Sequence, residues 1–254
     1  MLEAALGFNL YAFFLVFSRL GTAMMLFPGF GEAQVSPRIR LGIALGVSLV
    51  VLPVVAPTLP ALAANPLALA FALMAETFVG FFLGSVVRLM MSAIQVAGAI
   101  IATETGLANA MVPEMSQGGQ VAIATNFLMI LALVLLFSAD LHHVMLRGVV
   151  DSYAAFPPGA LPPVDDFSSA ISRLVGKSFL VGFQMAAPLV VLGMLLSIGM
   201  GVLSRLMPQI QVFFLVIPLQ VILGMLVLAT ALGTVMGLFV QSLGDVLAEI
   251  SVVQ

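Results

Sequence analysis

Long apolar stretches alternate with short polar or proline-rich breaks along this chain, and the breaks mark out about six helical segments. The first runs from about Ala4 to Phe27 and ends at Pro28-Gly29. A turn over Gly31 to Pro37 leads to a second segment, about Ile39 to Val55, closed by Pro57, Pro60, Asn65 and Pro66. The third, from about Leu67 to Gly106, is longer than a bilayer needs and carries Glu76, Arg88 and Glu104. The loop Asn109 to Gly119 follows, then a fourth segment over about Gln120 to Val150. Asp151 to Ser169 is the most polar loop, and segments five and six cover about Ala170 to Leu203 and Ile210 to Ile250.

The last two segments flank an elbow. From Ser178 to Gly244 the only charged residue is Arg205. As one straight helix that run would be ~100 Å long, about three bilayer cores, so the chain must turn within it. Pro208 removes a backbone donor and disfavours helix at Met207. Gln209 and Gln211 can satisfy backbone groups freed at the break. Pro218 marks a second expected kink.

Composition settles the class. Hydrophobic residues are 62% of the chain and charged residues 7%, against about 25% charged in soluble domains. The chain reads as an all-α integral membrane protein. Eight Lys and Arg residues spread along its length exclude a polybasic nucleic-acid surface. With no cysteine, disulfides, thiolate metal sites and a cysteine nucleophile are excluded. Glu3 precedes the first apolar segment and Arg19 is the first basic side chain, so the N-terminus reads as a retained helix, not a cleaved signal. Basic residues flank both sides of a six-span arrangement and leave orientation open.

Few residues invite chemistry. Glu76 and Arg88 are twelve positions apart, ~18 Å on one helix, so each needs a partner from another segment or water. Asp140-Leu141-His142-His143 suggests a metal or a proton relay, but no HExxH-type spacing accompanies it. The plainer reading is a polar cluster at a helix end. No nucleophile–base constellation or phosphate loop is present, so no enzyme activity, cofactor or metal is expected. Met90, Met91, Met111, Met115 and Met207 fall near charges or breaks, where flexible apolar side chains could line a path. Glycine pairs at Gly42/Gly46, Gly80/Gly84 and Gly233/Gly237 permit close helix packing.

Together these segments resemble the FliR family of the flagellar type III export gate. The resemblance rests on Arg205 to Phe214 and Ile217 to Gln220; on Glu76, Gly80, Gly84, Arg88, Gln95, Gly98 and Gly106; and on Arg19, Pro28, Pro37 and Arg38. Asp140-Leu-His-His, Asp151-Ser-Tyr and Phe156-Pro157 resemble flagellar members. It implies bent helical hairpins forming one membrane-embedded export-gate domain over residues 1–254, in the bacterial inner membrane at the flagellar basal body. It further implies FliP-like and FliQ-like partners, with FlhB and FlhA beside them, around a channel for unfolded flagellar proteins. A plug loop is expected near 106–119, with Leu107, Met111, Pro113 and Met115 as its contacts. This stretch departs from the family pattern: no aromatic lies between Phe82 and Phe127, and Val112-Pro113-Glu114 replaces an Asp-Pro. Glu76, Arg88 and Glu104 are then expected at subunit contacts, and Arg205, Pro208, Gln209, Gln211, Pro218 and Gln220 at the assembly elbow. The alternatives are a homologous injectisome subunit and, in a different class, a proton-coupled secondary transporter using Glu76, Arg88 or Asp140.

Overall fold

The computed structural model describes residues 2–32, 34–61, 65–106, 111–113, 120–160, 164–206 and 212–252. Among these the fold is all-α: α1 (Leu2–Leu26), α2 (Pro37–Val55), α3 (Pro66–Glu104), α4 (Ile123–Ser138), α5 (Leu141–Ala155), α6 (Val164–Leu206) and α7 (Val212–Val252). A two-stranded antiparallel ladder, β1 (Met111–Pro113) with β2 (Gln120–Ala122), lies between α3 and α4. By length and composition α2, α3, α6 and α7 can each cross a membrane, and the broken pair α4–α5 can form one further span.

Local chemistry places most helix ends. Ser36 caps α2, its hydroxyl accepting from the Ile39 N–H at 3.4 Å, and Pro37 follows in the first turn. Asn65 does the same for α3, its side chain accepting from the Ala68 N–H at 2.7 Å. Gly106, at φ 73°, ends the helical run of α3 in the left-handed conformation that glycine adopts without strain. Hydroxyls inside the helices bond to carbonyls four residues earlier, as in Thr77 to Leu73 and Thr103 to Ala99.

Three expectations change. The segment read over Gln120 to Val150 is two helices, because Asp140 adopts φ 55° and breaks it. The loop read from Asp151 to Ser169 is shorter: α5 continues to Ala155 and α6 starts at Val164. Pro162-Pro163 precedes that start in the sequence, and Asp166 suits the positive end of a helix. The stretch Asn109 to Gly119, read as plain loop, contributes β1.

Two compact units divide the chain, and α3 contributes to both. The first comprises Met1–Leu89, Phe137–Leu174 and Gly244–Gln254. Its core joins Tyr11, Leu15 and Ala72, and beside them Val16, Val55 and Tyr153. Phe167 packs against Phe82 with ring centroids 4.0 Å apart. The second comprises Met90–Leu136 and Val175–Leu243. There Gly98 of α3 lies against Thr125 of α4, and Gly182 of α6 against the Ala93 carbonyl.

Buried positions on α3 recur at Ala72, Glu76, Val79, Leu83, Val86, Met90, Ile94, Ala97 and Ile101, a continuous helical stripe. Met90 and Met91 belong to this packed stripe and do not line an open path. The apolar stretch of α3 is 44% buried within the chain, against 17% for α2 and α6 and 22% for α7. Those three helices offer most of their apolar surface to lipid or to other chains.

Of the three glycine pairs, only Gly80/Gly84 is used within the chain. A Cβ at Gly80 would overlap the Arg19 carbonyl, and one at Gly84 would lie 2.7 Å from Leu26 Cβ. A Cβ added at Gly42, Gly46, Gly233 or Gly237 would meet no other segment within 4 Å among the described residues. Gly80→Ala should therefore destabilise the protein by about 1–3 kcal/mol. Gly42→Ala should stay within about 0.5 kcal/mol. Denaturation in mixed detergent micelles compares the two; equal stability of both variants would refute the close α1–α3 approach.

Candidate functional site

The first unit is organised around a buried charge. Arg19, midway along apolar α1, is fully buried, as is Glu76 on α3. The Arg19 Nε donates to Glu76 Oε2 at 2.7 Å and Nη2 to Oε1 at 3.1 Å, a two-point pairing. Gly80 sits one turn beyond Glu76 and lets the α1 backbone come against α3 at this level. Further donors and acceptors of the pair are also used. Arg19 Nη1 donates to the Ser152 hydroxyl at 3.2 Å, and Nη2 to the Phe156 carbonyl at 3.0 Å. The Gly159 N–H donates to Glu76 Oε1 at 3.0 Å. The guanidinium carbon lies 4.0 Å from the centroid of the Tyr153 ring. One ion pair thus joins α1, α3, α5 and the turn after α5.

Glu76, expected at a subunit contact, is instead satisfied inside its own chain. Sequence reasoning did not place Arg19, Ser152 and Tyr153 at a site. Arg19 carried the available signal, as a lone charge inside an apolar helix.

In the second unit, the end of α3 is held from two sides. The Gln220 side-chain amide of α7 donates to the Glu104 backbone carbonyl at 2.7 Å. Gly193 of α6 leaves room for the Glu104 carboxylate, which a Cβ there would overlap. Gly224 of α7 similarly faces Thr105, whose Cγ2 would lie 2.7 Å from an added Cβ. Glu104 is half-buried, and Gln220, read as an outward assembly residue, serves within the chain. Gly106 follows directly, so the clamp holds the backbone just before it.

Other candidates are placed less tightly. Arg88 is exposed on α3 with no hydrogen-bond or ion-pair partner among the described residues. Arg205 is exposed in the last turn of α6, where a cation suits the helix end. Pro218 lies inside α7. Met111 and Pro113 pair by backbone with Ala122 and Gln120. Leu107, Met115, Pro208, Gln209 and Gln211 lie outside the described residues, and so does Met207. Asp140 and His143 form an exposed contact at 3.5 Å, and Arg147 and Asp151 another at 3.8 Å. Such surface pairs contribute little to stability.

These features define an all-α integral membrane protein whose interior polar groups bind its helices to one another. The chain belongs to the bacterial export proteins, family 1, whose pattern it matches over residues 10–246. It is 36% identical over 229 residues to the flagellar biosynthetic protein FliR of Caulobacter vibrioides, covering 90% of this chain and 91% of that one. The FliR of Bacillus subtilis is 28% identical, with 88% and 87% covered, and that of Escherichia coli 27%, with 80% and 77% covered.

Removing one partner of a buried pair leaves the other charge uncompensated. Arg19→Ala or Glu76→Ala should each destabilise the protein by about 3–5 kcal/mol. The double substitution Arg19→Met with Glu76→Leu should cost clearly less than the sum of the single losses. Detergent-micelle unfolding of all variants checks this; additive losses would refute the coupling.

Proposed function

We propose that this chain is a subunit of the flagellar type III protein export gate in the bacterial inner membrane. It assembles with FliP-like and FliQ-like subunits, and beside FlhB and FlhA, into a channel for unfolded flagellar proteins. The observation that carries this reading is the family match over nearly the whole chain, together with relatives named as flagellar biosynthetic proteins. The exposed apolar faces of α2, α6 and α7 fit an assembled subunit.

The segment after Gly106 acts as the plug, with Leu107, Met111, Pro113 and Met115 as its apolar contacts. Two features support it. Gln220, Gly193 and Gly224 fix the end of α3 from which the segment departs. The β1–β2 pairing then ties residues 111–113 to 120–122. A short apolar segment tethered at both ends can seal and yield without leaving its place, because apolar contacts are non-directional. The proton-coupled transporter reading loses support, since Glu76 already accepts from Arg19 and from the Gly159 N–H.

Replacing residues 106–119 with a short Gly-Ser linker should raise ion leakage when the gate is expressed. Unchanged conductance with unchanged secretion would remove the plug. Deletion of the whole gene should abolish swimming and filament assembly, and the tagged chain should co-purify with FliP-like and FliQ-like proteins. A motile deletion strain would instead favour the injectisome alternative.

A further inference from the structure

We propose that Asp140, His142 and His143 form a binding site for a divalent transition-metal ion of the zinc class, at the break between α4 and α5. One potential ligand atom from each residue lies within 4.8 Å of the others. The chain geometry brings them together. Asp140, in the left-handed conformation just before α5, turns its carboxylate to within 3.5 Å of His143 Nδ1 in the first turn of that helix. His142 stacks beside His143 with ring centroids 4.1 Å apart, and its other neighbour is Phe137 at 4.9 Å.

A second observation points to a ligand. His142 Nδ1 is closed off from solvent and has no hydrogen-bond partner among the described residues. A buried imidazole nitrogen of this kind is normally satisfied, and a metal ion is a common partner for it. Tetrahedral coordination with bonds of about 2.1 Å sets donor atoms about 3.4 Å apart. Asp140 and His143, whose side chains are 79% and 71% exposed, have room to rotate toward this spacing.

The donor set selects the ion. Two neutral imidazoles and one carboxylate suit Zn2+, Co2+, Ni2+ or Cu2+, whereas Mg2+ and Ca2+ take all-oxygen shells. Three protein donors leave a fourth position for water. Binding would link the residue at the break to the first turn of α5, and so fix the backbone where the two helices part.

The test uses the full-length chain solubilised in its native assembly, without a polyhistidine tag. Zn2+ is titrated in competition with a chromophoric chelator, and Co2+ is followed by its visible absorption. We expect one ion per chain, a Co2+ spectrum of four or five coordination, and no displacement by excess Mg2+. His143→Ala changes an exposed side chain and should weaken binding at least about tenfold without affecting assembly. Replacing all three residues should abolish it. Saturating Zn2+ should raise the Tm of the unaltered protein and not that of the triple variant. Absence of stoichiometric binding in the unaltered protein, or equal binding by the triple variant, would overturn the proposal. Loss of export with retained binding, or the reverse, separates this site from the gate assignment.

Discussion

A buried charge in an apolar chain must be paired, and the Arg19–Glu76 bridge is where this protein meets that requirement. Neither residue could occupy its place alone. The guanidinium spreads its donors over Glu76, Ser152 and Phe156, and the carboxylate takes a further bond from Gly159. Each of these bonds fixes a different piece of backbone. The register of α1 on α3 and the placement of α5 and its following turn are therefore coupled. Moving one would strand a polar group in a medium with no water to replace the bond. The geometry also depends on the absence of a side chain at Gly80, since any Cβ there would push α1 away.

The second unit solves a related problem through glycines. Its helices approach through glycines at positions 98, 182, 193 and 224, each facing a backbone or side chain that a methyl group would meet. Close approach increases dispersion contacts, a main source of helix association where lipid is as apolar as the side chains. Polar bonds add to this among the described residues: Gln220 to the end of α3, and Ser92 to Ser178 at 3.5 Å. Helix α3 contributes to both units and is also the most enclosed of the four long apolar helices. Its stripe of buried residues is the common element on which both packing arrangements draw.

Much of this was legible in the sequence. The helices and the membrane class follow from apolar run length and from proline and asparagine positions. What was not legible depends on residues distant in sequence. Arg19 and Glu76 are 57 positions apart, and no periodicity links them. Gln220 looked like an outward group because its acceptor, the Glu104 carbonyl, belongs to the backbone 116 positions away. The break at Asp140 was hidden because a left-handed non-glycine residue leaves little signal in an otherwise apolar run. The β1 strand is three residues long and includes Pro113, so it lacks the alternation that marks longer strands.

The contrast between Glu76 and Arg88 separates two kinds of polar residue that sequence alone places in one class. Both lie on α3 and both are charges in an apolar helix. Glu76 is fully buried and bonded within the chain, so a defect caused by replacing it would report first on folding. Arg88 is exposed near the middle of the same helix, and no described residue compensates it. An unpaired guanidinium is costly in hydrocarbon. Its counter-group lies outside the described residues. The internal pair thus explains how α1, α3 and α5 hold together, whereas the exposed arginine plays no such part among the described residues.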